Sequence, residues 1–373
     1  MKKKSFWKKL LLLVAIILFY ITSYNLNIIG QYLIGLPLPF IFKFEAQNKP
    51  YRAPLVEYEL DKYLIKRHLV HLKNGIKNRS KIIDRPVATS GCDKTLVIKP
   101  GTSRNIAIKV NNTQRIYRIY LPKKYSNSKK HPLILDFHGY ASNGIRQEAI
   151  SKFIPIANKH KIILVFPEGS FGKNHVQGWN TGLHKTIVSN DVLFVSDAIS
   201  QLQSNFCVDP KRIYATGFSN GGGMVSRLMC LMGKRIAAFA PVSASFVTSP
   251  GTCLNEKPVS IINFHGTADR IVPYYGNFVK KEMSSFAWIS SWARHDRCSK
   301  KPKIVYKSGR IVGYTFKRCY DHVSVLHYKI IGGRHTWPNA KFKEKKNGKT
   351  YFVNVSAIIW NFFNSHFLML SKM

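Results

Sequence analysis

RIYATGFSNGGGMVSRLM, residues Arg212 to Met229, opens with strand formers and closes on a helix-compatible run. Ile213-Tyr214-Ala215 leads in, and Gly217-Phe218-Ser219-Asn220-Gly221 makes the corner. A G-x-S-x-G motif between a strand and a helix is a nucleophile elbow. Its serine sits in a strained turn, and the residues two places to either side must be tiny so that strand and helix can pass closely. The hydroxyl is then presented on a tight corner, with the following N–H groups pointing at the same place. A glycine-rich turn carrying an ordinary serine is the plain alternative, so the partners of Ser219 have to decide.

Outward from this corner, short apolar strands alternate with helical patterns. Arg115–Leu121 alternates and reads as a strand, closed by Pro122. Pro132–Phe137 and Ile162–Phe166 read as buried strands ending at His138-Gly139 and Pro167-Glu168-Gly169, with a helix over Ala149–His160 between them. Gly178-Trp179-Asn180-Thr181-Gly182 reads as a structured loop. Asp191–Phe206 is an amphipathic helix capped by Asn190. Beyond the corner, Ala237–Val242, Val259–Phe264 and Val323–Ile330 are strands, while Trp288–Arg294 and Phe352–Phe367 are helical. Such alternation predicts an α/β fold, with a mostly parallel central sheet and helices on both faces. Ligands then collect at the carboxyl ends of the strands. His138-Gly139, Ser219, Asp269 and His335 all fall there.

The chain has 373 residues, 45% of them hydrophobic, enough for one large domain with a sizeable core once the N-terminal region is set aside. Residues 1–42 read as a signal peptide or N-terminal membrane anchor: lysines at 2, 3, 4, 8 and 9 precede an apolar run from Leu10 to Ile21. Both readings place the folded part outside the cytoplasm. Residues 43–90 read as a basic linker with one helix near Leu60–Leu72, whose His68 and His71 have no acidic or cysteine partner nearby. Residues 91–373 read as the catalytic domain.

The balance of 58 Lys+Arg against 18 Asp+Glu gives a formal charge of +40, which would draw the surface to anionic polymers or membranes. The bases are scattered and no nucleic-acid module appears, so a specific nucleic-acid partner is not expected. The six cysteines are spaced too widely for a C-x-x-C metal site and suit disulfides in an exported chain. Cys298 and Cys319, bracketing a lysine-rich hairpin, are the preferred pair.

A serine hydroxyl needs a base within hydrogen-bond reach, and the base needs a group to orient it. On this architecture the order along the chain is serine, acid, histidine. Asp269, in HGTAD after a buried strand, and His335, in GGRHTWP after the last strand, stand in that order. His295, His322 and His327 lack such a loop position. The oxyanion hole takes two backbone donors: Asn220, immediately after the serine, and Tyr140, in the loop after His138-Gly139. His138 itself is expected to be structural. No metal or organic cofactor is required.

FHGYASNG, VFPEG, GWNTG, NDVLFVSDAISQL, FCVDPKRIYATGFSNGG, HGTADRIVPYYG and GGRHTWP together resemble the poly(3-hydroxybutyrate) depolymerase family of esterases. That family includes feruloyl and acetylxylan esterases of the carbohydrate esterase family one type. The resemblance runs from about Gly91 to Pro338. It implies an α/β-hydrolase fold with Ser219 as nucleophile, Asp269 as acid and His335 as base, acting on carboxylic esters of hydroxyalkanoates or of feruloylated or acetylated sugars. The cysteines also resemble those of the family's secreted branch. Trp179, Trp337 and Arg334 are the candidate pocket residues. Arg334 stands where the family usually has glycine, placing a cation beside the base, where it would disfavour the imidazolium or hold an anionic group. The competing readings are a serine peptidase on the same fold and a cationic, membrane-tethered binding protein in which the fold is a relic.

Overall fold

The computed structural model describes residues 84–369, apart from 182–186, 188, 247–252, 254–256, 278–282, 340 and 344–349. The export segment and most of the linker, with its helix, His68 and His71, lie outside the described residues. Residues 84–90 are bonded to the body of the fold: Lys234 N–H donates to Asp84 Oδ1 at 2.8 Å, and Thr89 Oγ1 donates to the Val208 carbonyl at 2.7 Å.

The strands are β1 (Ser103–Val110), β2 (Thr113–Tyr120), β3 (His131–Phe137), β4 (Ile163–Pro167), β5 (Ser170–Phe171), β6 (Gln177–Gly178), β7 (Val208–Phe218), β8 (Ala238–Val242), β9 (Ser260–Gly266), β10 (Lys303–Ser308), β11 (Ile311–Phe316) and β12 (Val325–Ile330). The main sheet runs β1-β2-β4-β3-β7-β8-β9-β12-β11-β10, parallel from β4 to β12 and antiparallel at both edges. This is the α/β-hydrolase arrangement. The helices are α1 (Gly144–Ser151), α2 (Ile154–His160), α3 (Asp191–Asn205), α4 (Asn220–Leu231), α5 (Ser285–His295) and α6 (Val355–Asn364).

The central strands are buried along their whole length, as their unbroken apolar runs require. Helices α3, α4 and α5 bury Phe194, Leu228 and Trp288 on one face of the sheet. On the other, α2 and α6 bury Phe153, Ala157, Ile359 and Phe363. The single helix expected over Ala149–His160 is two, because Lys152 takes a left-handed conformation (φ 55°) and Pro155 starts a new helix. The closing helix is shorter than expected, starting at Val355 with Asn354 as its side-chain cap. Strand β1 was unassigned from sequence.

Three disulfides join Cys92 to Cys207, Cys230 to Cys253 and Cys298 to Cys319, the last being the expected pair. The Cys92–Cys207 bridge spans 115 residues and ties the segment before β1 to the start of β7. Closing so long a loop restricts the unfolded chain strongly. Replacing both cysteines with alanine should lower stability by about 5 kcal/mol, checked by chemical denaturation of the folded part.

One buried carboxyl lies beneath the carboxyl end of β3. Asp136 is fully enclosed, and its Oδ1 accepts from Gln147 Nε2 on α1 at 2.7 Å. Burial pushes it up to about 8, against the hydrogen bond of Gln147, so it is folded in the protonated form at neutral pH. A carboxyl raised in this way favours the fold most below its unfolded value near 4, and that contribution is lost as pH rises toward 8. Asp136→Asn keeps the acceptor and cannot ionise. Its Tm should exceed that of the parent at pH 9, with the gap closing as pH falls to 5.

Candidate active site

The elbow is built by close approach. Ser219 has φ 56° and ψ −117°, a conformation rarely adopted by a residue with a side chain, and it sits between the end of β7 and the first residue of α4. A Cβ on Gly217 would come 2.7 Å from the Gly221 backbone, and one on Gly221 would run into the carbonyls of Phe137 and His138. The glycine spacing in the sequence is therefore a packing requirement. Ser219 N–H donates to the Val242 carbonyl at 2.9 Å, fixing the corner to β8.

His335 reaches Ser219 from the loop after β12. Its Nε2 lies 2.9 Å from Ser219 Oγ, and its Nδ1 lies 2.8 Å from Asp269 Oδ2. With Nδ1–H donated to the carboxylate, Nε2 is the acceptor facing the serine hydroxyl. The two loops are stitched together by Ala268 N–H to the Gly333 carbonyl (2.9 Å), Thr267 N–H to the Ile330 carbonyl (2.9 Å) and Gly332 N–H to Thr267 Oγ1 (2.8 Å). Phe218 packs against the His335 ring, with centroids 4.8 Å apart.

Asp269 is buried, and burial alone would raise its carboxyl. Hydrogen bonds from His265, His335 and the Val272 amide outweigh it and hold the group well below the usual carboxylate range. Its Oδ1 accepts from the Ile271 and Val272 amides at 2.9 and 2.8 Å. The carboxylate is thus fixed, ionised and aimed at the imidazole.

The other histidines weighed as bases stand away from Ser219 among the described residues. His138 is fully buried; its Nδ1 donates to the Gly139 carbonyl at 2.7 Å and its Nε2 accepts from Gly169 N–H at 2.9 Å. Burial pushes it down to about 4, so it stays neutral, a structural residue as expected. His327 is enclosed between Asn263 and Tyr274 and pushed down to about 3 by burial. His295 pairs with Asp296 at 2.6 Å, and His322 is exposed.

Asn220 is the first residue of α4, where a backbone N–H has no acceptor within the helix and the helix dipole favours negative charge. The Gly139–Tyr140 loop lies against the elbow: a Cβ on Gly139 would stand 3.5 Å from Ser219 Cβ. Asn220 thus follows Ser219 directly, and Tyr140 follows the glycine that packs against it.

Trp179 is fully buried, donates Nε1–H to the His138 carbonyl at 2.8 Å and packs edge-on against Phe137. Trp337 is buried too, its Nε1–H donating to Ser356 Oγ at 3.0 Å. Each indole finds a partner for its N–H inside the protein. Arg334 is exposed.

Sequence reasoning missed Glu168. Its Oε1 accepts from Gly144 N–H at 3.0 Å and its Oε2 from Gln177 Nε2 at 2.9 Å, while Gln177 accepts from Ala141 N–H through its carbonyl at 2.9 Å. These bonds frame the loop after β3. The signals in the sequence were the position of Glu168 at a strand's carboxyl end and its place in VFPEG.

No family model matches the chain. It is 31% identical over 233 residues to feruloyl esterase B of Piromyces equi, covering 60% of this chain and 43% of that protein. It is 27% identical to the bifunctional acetylxylan esterase/xylanase XynS20E of Neocallimastix patriciarum, covering 62% of this chain and 32% of that one. A probable feruloyl esterase C of Aspergillus oryzae is 27% identical over 249 residues, covering 64% of this chain and 82% of its own length. The chain thus spans less than half the length of the first two relatives.

Asp269→Asn should cut ester turnover by about 10⁴, since an amide cannot hold the same imidazole tautomer. The depressed carboxyl contributes stability that is present above its ordinary value near 4 and is lost as pH falls through the folded value. The Asn variant should therefore show a shallower acid limb in a plot of Tm against pH.

Proposed function

We propose that this feruloyl/acetylxylan esterase-like chain is a serine carboxylic-ester hydrolase acting on feruloyl or acetyl esters of sugars through an acyl-enzyme. The observation that carries the reading is the continuous line from Asp269 through His335 to Ser219, with both hydrogen bonds under 3 Å, on a strained elbow. Ser219 Oγ attacks the ester carbonyl while His335 Nε2 takes its proton. Asp269 holds the Nδ1–H and stabilises the imidazolium. The amides of Asn220 and Tyr140 receive the oxyanion. The imidazolium then gives its proton to the departing sugar oxygen, leaving the acyl group on Ser219. A water attacks this ester with His335 again as base, and the acid is released.

The names of the relatives support the sugar-ester class; none of them names a hydroxyalkanoate substrate. Three disulfides support an oxidising, extracytoplasmic location, in keeping with residues 1–42 as an export signal or anchor. Among the described residues no helix is long and apolar enough to cross a membrane.

The test is a panel of methyl ferulate, acetylated xylan, p-nitrophenyl butyrate and hydroxybutyrate oligomers, run on the parent chain and Ser219→Ala. The parent should turn over the first two best and be labelled by a fluorophosphonate. Ser219→Ala should lose both properties with its Tm unchanged. Ester turnover surviving in Ser219→Ala would remove the serine from the mechanism.

A further inference from the structure

The β5–β6 hairpin supplies none of the reacting groups, yet it grips a residue beside the nucleophile. Asn174, exposed at its turn, donates Nδ2–H to the Tyr140 hydroxyl at 2.7 Å. At the other end of the same ring, a Cβ on Gly178 would come within 2.9 Å of Tyr140 Cδ2, so the phenol lies directly on the hairpin backbone. The adjoining residue is held as well, by Ala141 N–H to the Gln177 carbonyl at 2.9 Å.

The hairpin is itself fixed at both ends. Gly172 N–H donates to the Val176 carbonyl at 3.0 Å and His175 N–H to the Gly172 carbonyl at 2.9 Å, closing the turn. Past β6, Trp179 N–H donates to Asn220 Oδ1 at 2.7 Å, and Asn220 Nδ2 returns bonds to the Trp179 carbonyl and Thr181 Oγ1, each at 3.3 Å. One short segment therefore joins the side chain of Tyr140 to the side chain of Asn220, the two residues whose amides the proposed mechanism uses for the oxyanion.

An oxyanion donor acts through its position. Its N–H must already point to where negative charge develops, and small displacements are expensive in rate. The Tyr140 amide follows Gly139, which has no side chain to anchor it, so the grip on the Tyr140 ring bears on where that amide points. We propose that Asn174, through the Tyr140 hydroxyl, is a positioning residue for the oxyanion-hole amide of Tyr140, and that the hairpin aligns the two donors with each other. This rests on the serine-esterase reading above.

The experiment measures kcat and KM on methyl ferulate for Asn174→Ala, Tyr140→Phe, the double variant and Asn174→Asp, with Tm for each. Asn174 is exposed and Tyr140→Phe removes a single oxygen, so all should fold with Tm unchanged. Each single variant should lose about tenfold in kcat, a fraction of the 10²–10³ lost with a whole donor, while KM stays within about twofold. The double variant should be no slower than either single one, because both remove one interaction. Asn174→Asp should retain most of the rate, since the tyrosine hydroxyl can donate to the carboxylate. Unchanged kcat in the single variants, losses that multiply in the double variant, or a change confined to KM would each overturn the proposal. Fluorophosphonate labelling of the parent chain keeps the two readings apart. A parent that neither labels nor turns over ester defeats the esterase reading, whereas an active parent with indifferent Asn174 variants defeats this inference alone.

Discussion

The crossing of β7 and α4 at Gly217 and Gly221 is the constraint on which the site depends. Because a Cβ on Gly221 would collide with the carbonyls of Phe137 and His138, the helix that follows Ser219 sits directly on the end of β3. The chain leaving β3 continues straight into Gly139 and Tyr140. One close contact therefore places the nucleophile and the loop beside it at the same time. The strained backbone of Ser219 persists because β8 and the glycines around it leave no other arrangement.

The electrostatics of the site follow from how burial is answered. Asp269 and Asp136 are both enclosed carboxyls near the ends of buried strands, yet they are driven in opposite directions. Hydrogen bonds from two histidines and the Val272 amide keep Asp269 ionised, whereas Asp136, with only Gln147 and Ser151 beside it, is pushed up to about 8. The histidines divide in the same manner. His138 and His327 are enclosed and held neutral as structural groups, while His335 is half-buried, between a carboxylate and a hydroxyl.

Segment Glu168–Thr181 shows how the loops are kept from drifting. It touches the loop after β3 through Glu168, Gln177, Asn174 and Trp179, and touches α4 through Asn220. Asp191 extends the hold: its Oδ2 accepts from Asn180 N–H at 2.7 Å, while its Oδ1 pairs with the buried Arg115 at 2.9 Å. Rigid support of this kind is what a site assembled from loops requires.

The central strands and the serine–acid–histidine order were legible in the amino acids, since each is a local pattern, whereas the edge strand β1 and the short β5 and β6 were not. Buried strands announce themselves as apolar runs, Gly217 and Gly221 by spacing, and Asp269 and His335 by standing just past a strand. Cys298 and Cys319 bracket one hairpin and could be paired on sight; Cys92 and Cys207, 115 residues apart, could not, and Cys230 and Cys253, though only 23 apart, are bracketed by no such local pattern. The break at Lys152 had one local signal, Pro155, which has no N–H to donate within a continuing helix, but helical periodicity runs across it and masks the break. Trp179 and Trp337 looked like pocket aromatics because they flank site motifs. Tertiary structure alone decided that their indole N–H groups are satisfied inward. Glu168 stands in VFPEG but with no role attached, Asn174 and Gln177 carry no motif of their own, and their contacts exist only where the chain brings a hairpin back onto a loop some thirty residues earlier.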